Sequence, residues 1–152
     1  FLLFWEEIMH RSVATELEVR WGECDPAGIV YHPAYIDWFS VARMHFLSEN
    51  GIQYMSTFNQ AGIHLVVTDV ACQYKKALRA QDKIKVIAHL VACTRTRLHF
   101  QYEVFDDEGA VCAVGRTVHA FVANDNAKAV NLDKFAPELW AKIRVLPVDR
   151  DR

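Results

Sequence analysis

Pro33-Ala34-Tyr35-Ile36-Asp37-Trp38-Phe39-Ser40-Val41-Ala42-Arg43-Met44-His45-Phe46-Leu47-Ser48-Glu49, closed by Asn50-Gly51, is the stretch that decides the fold. Proline suits a first helical position, where its missing N–H would go unpaired anyway, and Asn-Gly supplies a stop. Between them polar residues are few: Asp37, Ser40, Arg43, His45 and Ser48, before the terminal Glu49. Ile36, Phe39, Phe46 and Leu47 form one stripe, while Tyr35, Trp38, Val41 and Ala42 make much of the remaining circumference apolar. A helix apolar on most sides is enclosed rather than laid on a surface. Something must wrap around it.

Upstream, residues 15–21 alternate, with Leu17, Val19 and Trp21 on one face and Glu16, Glu18 and Arg20 on the other. That period of two reads as a half-buried strand. Residues 22–32 form a turn-rich loop. Downstream lies the wrapping material. Residues 63–74 are a mostly apolar, β-branched run. Residues 83–94 alternate on Ile84, Val86, Ala88, Leu90 and Ala92, and residues 97–105 on Leu98, Phe100, Tyr102 and Val104. Asp106-Asp107-Glu108-Gly109 is a hairpin signal leading into a strand over 110–123. A short helix over 133–145, with Asp133 as its N-cap, ends the pattern. The expected class is α+β: an antiparallel five-stranded sheet wrapped around one long central helix. One sheet covers only part of the helix and leaves edges, so a homodimer paired through an edge strand is expected.

The 152 residues fit a single domain, expected over 15–147 with a tail at 148–152. Residues 1–14 are read as an N-terminal arm on a partner subunit or as upstream sequence, with Met9 the start. The charge of −2 leaves no field to draw in nucleic acid or anionic lipid, and hydrophobic residues at 52% argue against disorder. No stretch is long enough to cross a bilayer. Cys24, Cys72, Cys93 and Cys112 form no CxxC pair, so free thiols in the reducing cytoplasm are expected. Zinc-type spacings are absent, and no metal site is expected.

Chemistry concentrates in Cys24-Asp25-Pro26-Ala27-Gly28. Asp at i, Pro at i+1 and Gly at i+3 fit a type I turn, and Asp25 is accounted for if it only shapes that turn. Yet the turn stands just before the N-terminus of the enclosed helix, where unpaired N–H groups and the dipole favour negative charge. A carboxylate and a row of donors facing one volume is what acyl transfer needs.

The run Val19-Arg20-Trp21-Gly22-Glu23-Cys24-Asp25-Pro26-Ala27-Gly28-Ile29-Val30-Tyr31-His32-Pro33-Ala34-Tyr35 resembles the signature of the hotdog-fold thioesterases. It is most similar to the 4-hydroxybenzoyl-CoA thioesterase family and the related Tol–Pal-associated acyl-CoA thioesterases. The likeness continues through Ile36-Asp37-Trp38-Phe39-Ser40-Val41-Ala42-Arg43 and covers about residues 15–122. Asp-Pro-Ala-Gly is typical of the first branch and Tyr-His of the second. The resemblance implies a hotdog fold and hydrolysis of an acyl-CoA to free acid and CoA. It implies a catalytic carboxylate at Asp25 and places His32 at the helix entrance, its backbone N–H on the thioester carbonyl. The His32 side chain has a second reading as a helix cap. Tyr31 and Tyr35 order the loop or touch the acyl group. CoA is part of the substrate, and no cofactor is expected.

Lys76, Arg95 and Arg97 are candidates for the CoA phosphates, against a reading as solvated hairpin turns. The resemblance implies a nucleotide site along this sheet edge and its partner subunit, in a homodimer assembling to a homotetramer. Trp38, Phe39 and Phe58 line an acyl pocket or simply pack the core. Two rivals use the same fold. A 3-hydroxyacyl dehydratase or hydratase would draw on helix carboxylates, here Asp37 and Glu49. A non-catalytic acyl-CoA-binding module would bind without releasing thiol.

Overall fold

In the computed structural model, which describes residues 10–152, strand β1 (Ser12–Glu18) runs through a 3-10 turn (Trp21–Glu23) and a loop into helix α1 (Pro33–Glu49). Helix α2 (Tyr54–Ala61) follows, then β2 (Ile63–Tyr74), β3 (Lys83–Cys93), β4 (Arg97–Asp106) and β5 (Val111–Ala123). The short helices α3 (Leu132–Phe135) and α4 (Pro137–Ile143) come last. All strand pairs are antiparallel, and the sheet order is β1-β3-β4-β5-β2. The α+β architecture expected from the alternating runs is the one found, with β1 and β2 as edges.

Three elements differ from expectation. The first strand stops at Glu18, and the 3-10 turn swings Trp21 out to 75% exposure instead of into the core. Helix α2 was not anticipated. It is eight residues long and ends at Gly62, whose φ of +71° is the left-handed stop that glycine adopts freely. The terminal helix is broken, because Pro137 offers no N–H and Ala136 leaves helical geometry ahead of it. Asn131 stands at the N-cap there, and Asp133 lies in the first turn, 3.6 Å from Arg95. Of the arm expected over 1–14, residues 1–9 lie outside the described residues, while Ser12, Val13 and Ala14 are not an arm but the start of β1, paired with His89, Ala88 and Ile87 of β3. At His10 the chain is already anchored: its amide donates to Asn50 Oδ1 at 2.8 Å, and Asn50 Nδ2 donates back to its carbonyl at 3.1 Å.

Helix α1 lies in the concavity with Tyr35, Trp38, Phe39, Ala42, Phe46 and Leu47 buried. Each large side chain so removed from water contributes about 1.5–3 kcal/mol. Facing them are the inward residues of the strands, among them Val86, Leu90, Phe100, Tyr102 and Val104. Phe39 stacks on Tyr102 with centroids 4.5 Å apart and rests against Gly115, where only a residue without a Cβ leaves room. Strand β2 carries a bulge between Val67 and Asp69, so Val67 pairs with His119 and Val70 with Thr117.

Arg43 is buried on α1, although a charged residue would ordinarily mark the solvent side. Its Nη1 donates to Tyr102 Oη at 3.0 Å and its Nη2 to Ser40 Oγ at 3.2 Å. The chain continues from Tyr102 Oη to Thr117 Oγ1 at 2.6 Å and from there to His119 Nε2 at 2.7 Å. Burial, then the Arg43 charge and His99, push the His119 imidazole down from 6.5 to about 3. The unfolded chain therefore takes up a proton near 6.5 that the folded chain refuses until about 3. Stability from this group is complete above 6.5 and is lost as pH falls between those values, at about 1.4 kcal/mol per pH unit. Urea-unfolding free energies for wild type and His119→Gln at pH 7 and pH 5 should show the wild type losing more. Equal losses would refute the assignment.

Candidate active site

The loop before α1 is fastened at several points. Cys24 and Val30 form an isolated antiparallel bridge, and Val30 N–H donates to Leu78 O at 2.9 Å. Within it Gly28 N–H donates to Asp25 O at 2.9 Å, closing the turn that the Asp-Pro-Ala-Gly order predicts, with Gly28 at φ +80°. Asp25 is half-buried. Its Oδ1 accepts the Ala27 N–H at 2.8 Å, while Oδ2 has no hydrogen-bond partner among the described residues. One oxygen of Asp25 thus shapes the turn, and the other has no hydrogen-bond partner among the described residues.

His32 stands at the N-cap of α1 with an exposed side chain that makes no capping bond, so the capping reading fails. Its ring lies edge-on to Tyr31, centroids 4.6 Å apart. Its amide donates to no acceptor among the described residues, and its carbonyl accepts from Tyr74 Oη at 3.0 Å. Tyr31 is 52% exposed at the rim. Tyr35 is buried, edge-on to Tyr74 at 4.9 Å and tilted against Trp38 at 4.8 Å. Burial first, then the neighbouring Cys112, Cys72, Tyr74 and Cys24, push the Tyr35 phenol up to about 12. It stays protonated, a donor and packing group rather than a base.

Trp38 and Phe39 are core residues, as is Phe58 against Tyr54. Trp38 is also tied to the loop, for its Nε1–H donates to Glu23 Oε2 at 2.7 Å. Glu23 accepts from the Arg20 amide at 2.8 Å and the Arg20 Nη2 at 3.3 Å. Burial works to raise its carboxyl, but these three donors together outweigh it and hold the group below its ordinary range.

The basic candidates are not brought together in one chain. Lys76 is ion-paired with Asp106, which raises its ammonium and lowers that carboxyl. Arg97 opens β4 and Arg95 pairs with Asp133, whereas Asp106 closes β4, about 30 Å away along a ten-residue strand. The Asp25 loop sits at the Lys76 end, joined through Leu78. The basic residue that borders the turn is Arg79, its Nη1 3.8 Å from where a Cβ would stand on Gly28. Neither Arg79 nor Glu23 was singled out by spacing or pattern. A groove of about 340 Å³ over β2, β4 and β5, lined by Cys72, Gln101, Val114, Arg116 and Arg152 among others, contains none of the expected site residues. Of the helix carboxylates a dehydratase would need, Asp37 is exposed beside Arg20, and Glu49 meets His45 at the far end of α1. Among the described residues no group of three or more His, Cys, Asp or Glu is placed to hold a metal ion.

Residues 19–142 match the model of the thioesterase-like superfamily. The chain belongs to that superfamily, which places it in the class of thioester hydrolases. A protein of Aquifex aeolicus (strain VF5), provisionally named an esterase, is 35% identical over 116 residues, covering 76% of this chain and 88% of its own. A Bacillus subtilis (strain 168) protein, provisionally named an acyl-CoA thioesterase, is 28% identical over 130 residues, 86% of this chain and 93% of its own. A solved DHNA-CoA thioesterase from Staphylococcus aureus superposes with a TM-score of 0.81 at 33% identity, covering 86% of this chain and 87% of that one. The hotdog fold and family implied by the 19–35 signature are those found.

Proposed function

We propose that the protein hydrolyses acyl-CoA thioesters, with Asp25 as the reacting carboxylate and the His32 amide as donor to the thioester carbonyl. The observation that carries the reading is that, among the described residues, neither Oδ2 of the half-buried Asp25 nor the His32 amide on the same short loop has a hydrogen-bond partner. Relatives named for CoA thioesters on the same fold support the substrate class. As nucleophile, Oδ2 attacks the carbonyl carbon, the CoA thiolate leaves, and water cleaves the resulting anhydride. As general base, it takes a proton from water, whose hydroxide displaces the thiolate. Both routes give acid and free CoA and neither needs a cofactor. The thiolate is a good leaving group, so a strong general acid is not required. The His32 amide counters the charge that develops on the carbonyl oxygen.

The active unit in this reading is a homodimer, assembling further to a tetramer in the cytoplasm, where four unpaired thiols are stable. Val67 and Val70 on the inward side of edge strand β2 are 48% and 44% exposed, Tyr74 is 48% exposed, and Val41 on α1 is 42% exposed. A second copy across that edge would cover them and pair the open ladder. Antiparallel joining of two β2 strands would also set the Arg95–Arg97 end of one sheet beside the Asp25 end of the other. Sedimentation should find a dimer or larger species, and a fully active monomer would remove this part of the proposal. No helix among the described residues is long and apolar enough to cross a membrane.

The test of function is thiol release from a panel of benzoyl, phenylacetyl, short-chain and long-chain acyl-CoAs, with Asp25→Ala as control. Cleavage of at least one thioester well above the control is expected. A panel with no such member, but with binding, would leave only a binding module. A 3-hydroxyacyl-CoA added to the panel and converted to the enoyl thioester with loss of water, its thiol still esterified, would point to the dehydratase.

A further inference from the structure

We propose that Glu23 is a positioning residue for this site, pinning the loop that carries Asp25 to the first turns of α1 through the Trp38 indole. The kinetic part of the inference rests on the acyl-CoA reading above, and the structural part on the hydrogen bonds around Glu23. Its side chain is 9% exposed and serves three donors: Trp38 Nε1 at 2.7 Å, the Arg20 amide at 2.8 Å and Arg20 Nη2 at 3.3 Å. Its own carbonyl accepts the Tyr31 N–H at 2.7 Å. The same residue therefore fixes both ends of the segment 24–30. The side chain fastens the entry to the helix body, and the carbonyl fastens the exit one residue before His32.

Trp38 is a stable post. It is 3% exposed, and a buried indole N–H requires an acceptor. A carboxylate accepts from it more strongly than a neutral group would. The ion pair to Arg20 matters less, because that guanidinium is 72% exposed and screened. Glu23 reaches no reacting atom in this account. It sets the distance between the Asp25 carboxylate and the His32 amide, and a misplacement of 1 Å at such a pair can cost about 10²-fold in rate.

Three variants test it. Glu23→Ala removes the acceptor, Trp38→Phe removes the donor, and Glu23→Gln keeps a carbonyl oxygen for the indole. The first two should lose about 10–10²-fold in kcat with KM changed less than about threefold, and Glu23→Gln should recover to within about fivefold of wild type. Independently of turnover, hydrogen exchange at the Ala27 and Gly28 amides should quicken in Glu23→Ala and stay slow in Glu23→Gln. Unchanged kcat in Glu23→Ala, or lost kcat with both amides still protected, overturns the proposal. Quickened exchange in a protein whose wild type cleaves nothing in the panel upholds the clamp and removes the acyl-CoA reading instead.

Discussion

Asp25→Asn is expected to lower thioester turnover by about 10²–10⁴ while shifting the melting temperature by no more than about 2 °C. The two halves of that expectation come from the two oxygens of one side chain. Asparagine keeps a carbonyl oxygen able to accept the Ala27 N–H, so the turn that Asp25 closes survives the change. What it loses is the second oxygen, the one without a partner, as either nucleophile or base. Asp25→Ala removes both and should add a small stability loss to the same kinetic defect. Steady-state thiol release and a thermal melt on the two variants separate these effects. Full activity in Asp25→Asn would reduce Asp25 to a turn former.

Gly115→Ala should be the most damaging single-methyl insertion in the sheet. A Cβ there would stand 2.3 and 2.4 Å from two ring carbons of Phe39 and 3.0 Å from the Ala71 carbonyl oxygen. The backbone oxygen cannot retreat without breaking the β2–β5 register, so the ring must yield. Phe39 is stacked on Tyr102, and Tyr102 holds Arg43 and Thr117. Displacing the ring therefore disturbs a buried guanidinium with few other partners. Overpacking of this kind costs about 1–3 kcal/mol, and here we expect the upper end, near 3 kcal/mol. At this chain length that corresponds to about 6–12 °C in Tm. The double variant with Phe39→Leu should be less destabilised than the sum of the two single changes. Additive losses would show that the ring is not what the methyl strikes.

The sheet was legible because each strand has two different faces. Leu98, Phe100, Tyr102 and Val104 against Arg97, His99, Gln101 and Glu103 could satisfy only one geometry, and that alternation of buried and half-buried faces is the one found. The helix was legible from the opposite signal, an excess of apolar residues all round. Helix α2 left a fainter mark, since Tyr54, Phe58 and Ala61 turn inward at i, i+4 and i+7 but amount to a single short repeat within eight residues. The burial of Arg43 was not legible, because charge by itself suggests exposure, while the groups that tolerate it, Tyr102 and Thr117, lie more than fifty residues on. The Asp25 turn was readable as local chemistry. Its clamp was not, because the partner of Glu23 sits fifteen residues away on a helix face where an aromatic normally means packing. The basic residues show the same limit, for proximity in sequence says nothing about which end of a strand a turn occupies.

Thr68 is the residue that β5 leaves uncounted: Val67 faces His119 and Asp69 faces the very next position, Val118. Were Thr68 counted, every later side chain of the strand would change sides, sending Asp69, Ala71 and Gln73 toward the helix and Tyr74 outward. The phenol that reaches the His32 carbonyl thus owes its direction to a skipped beat six residues earlier. Parity along one strand decides whether the mouth of the helix has a hydroxyl beside it.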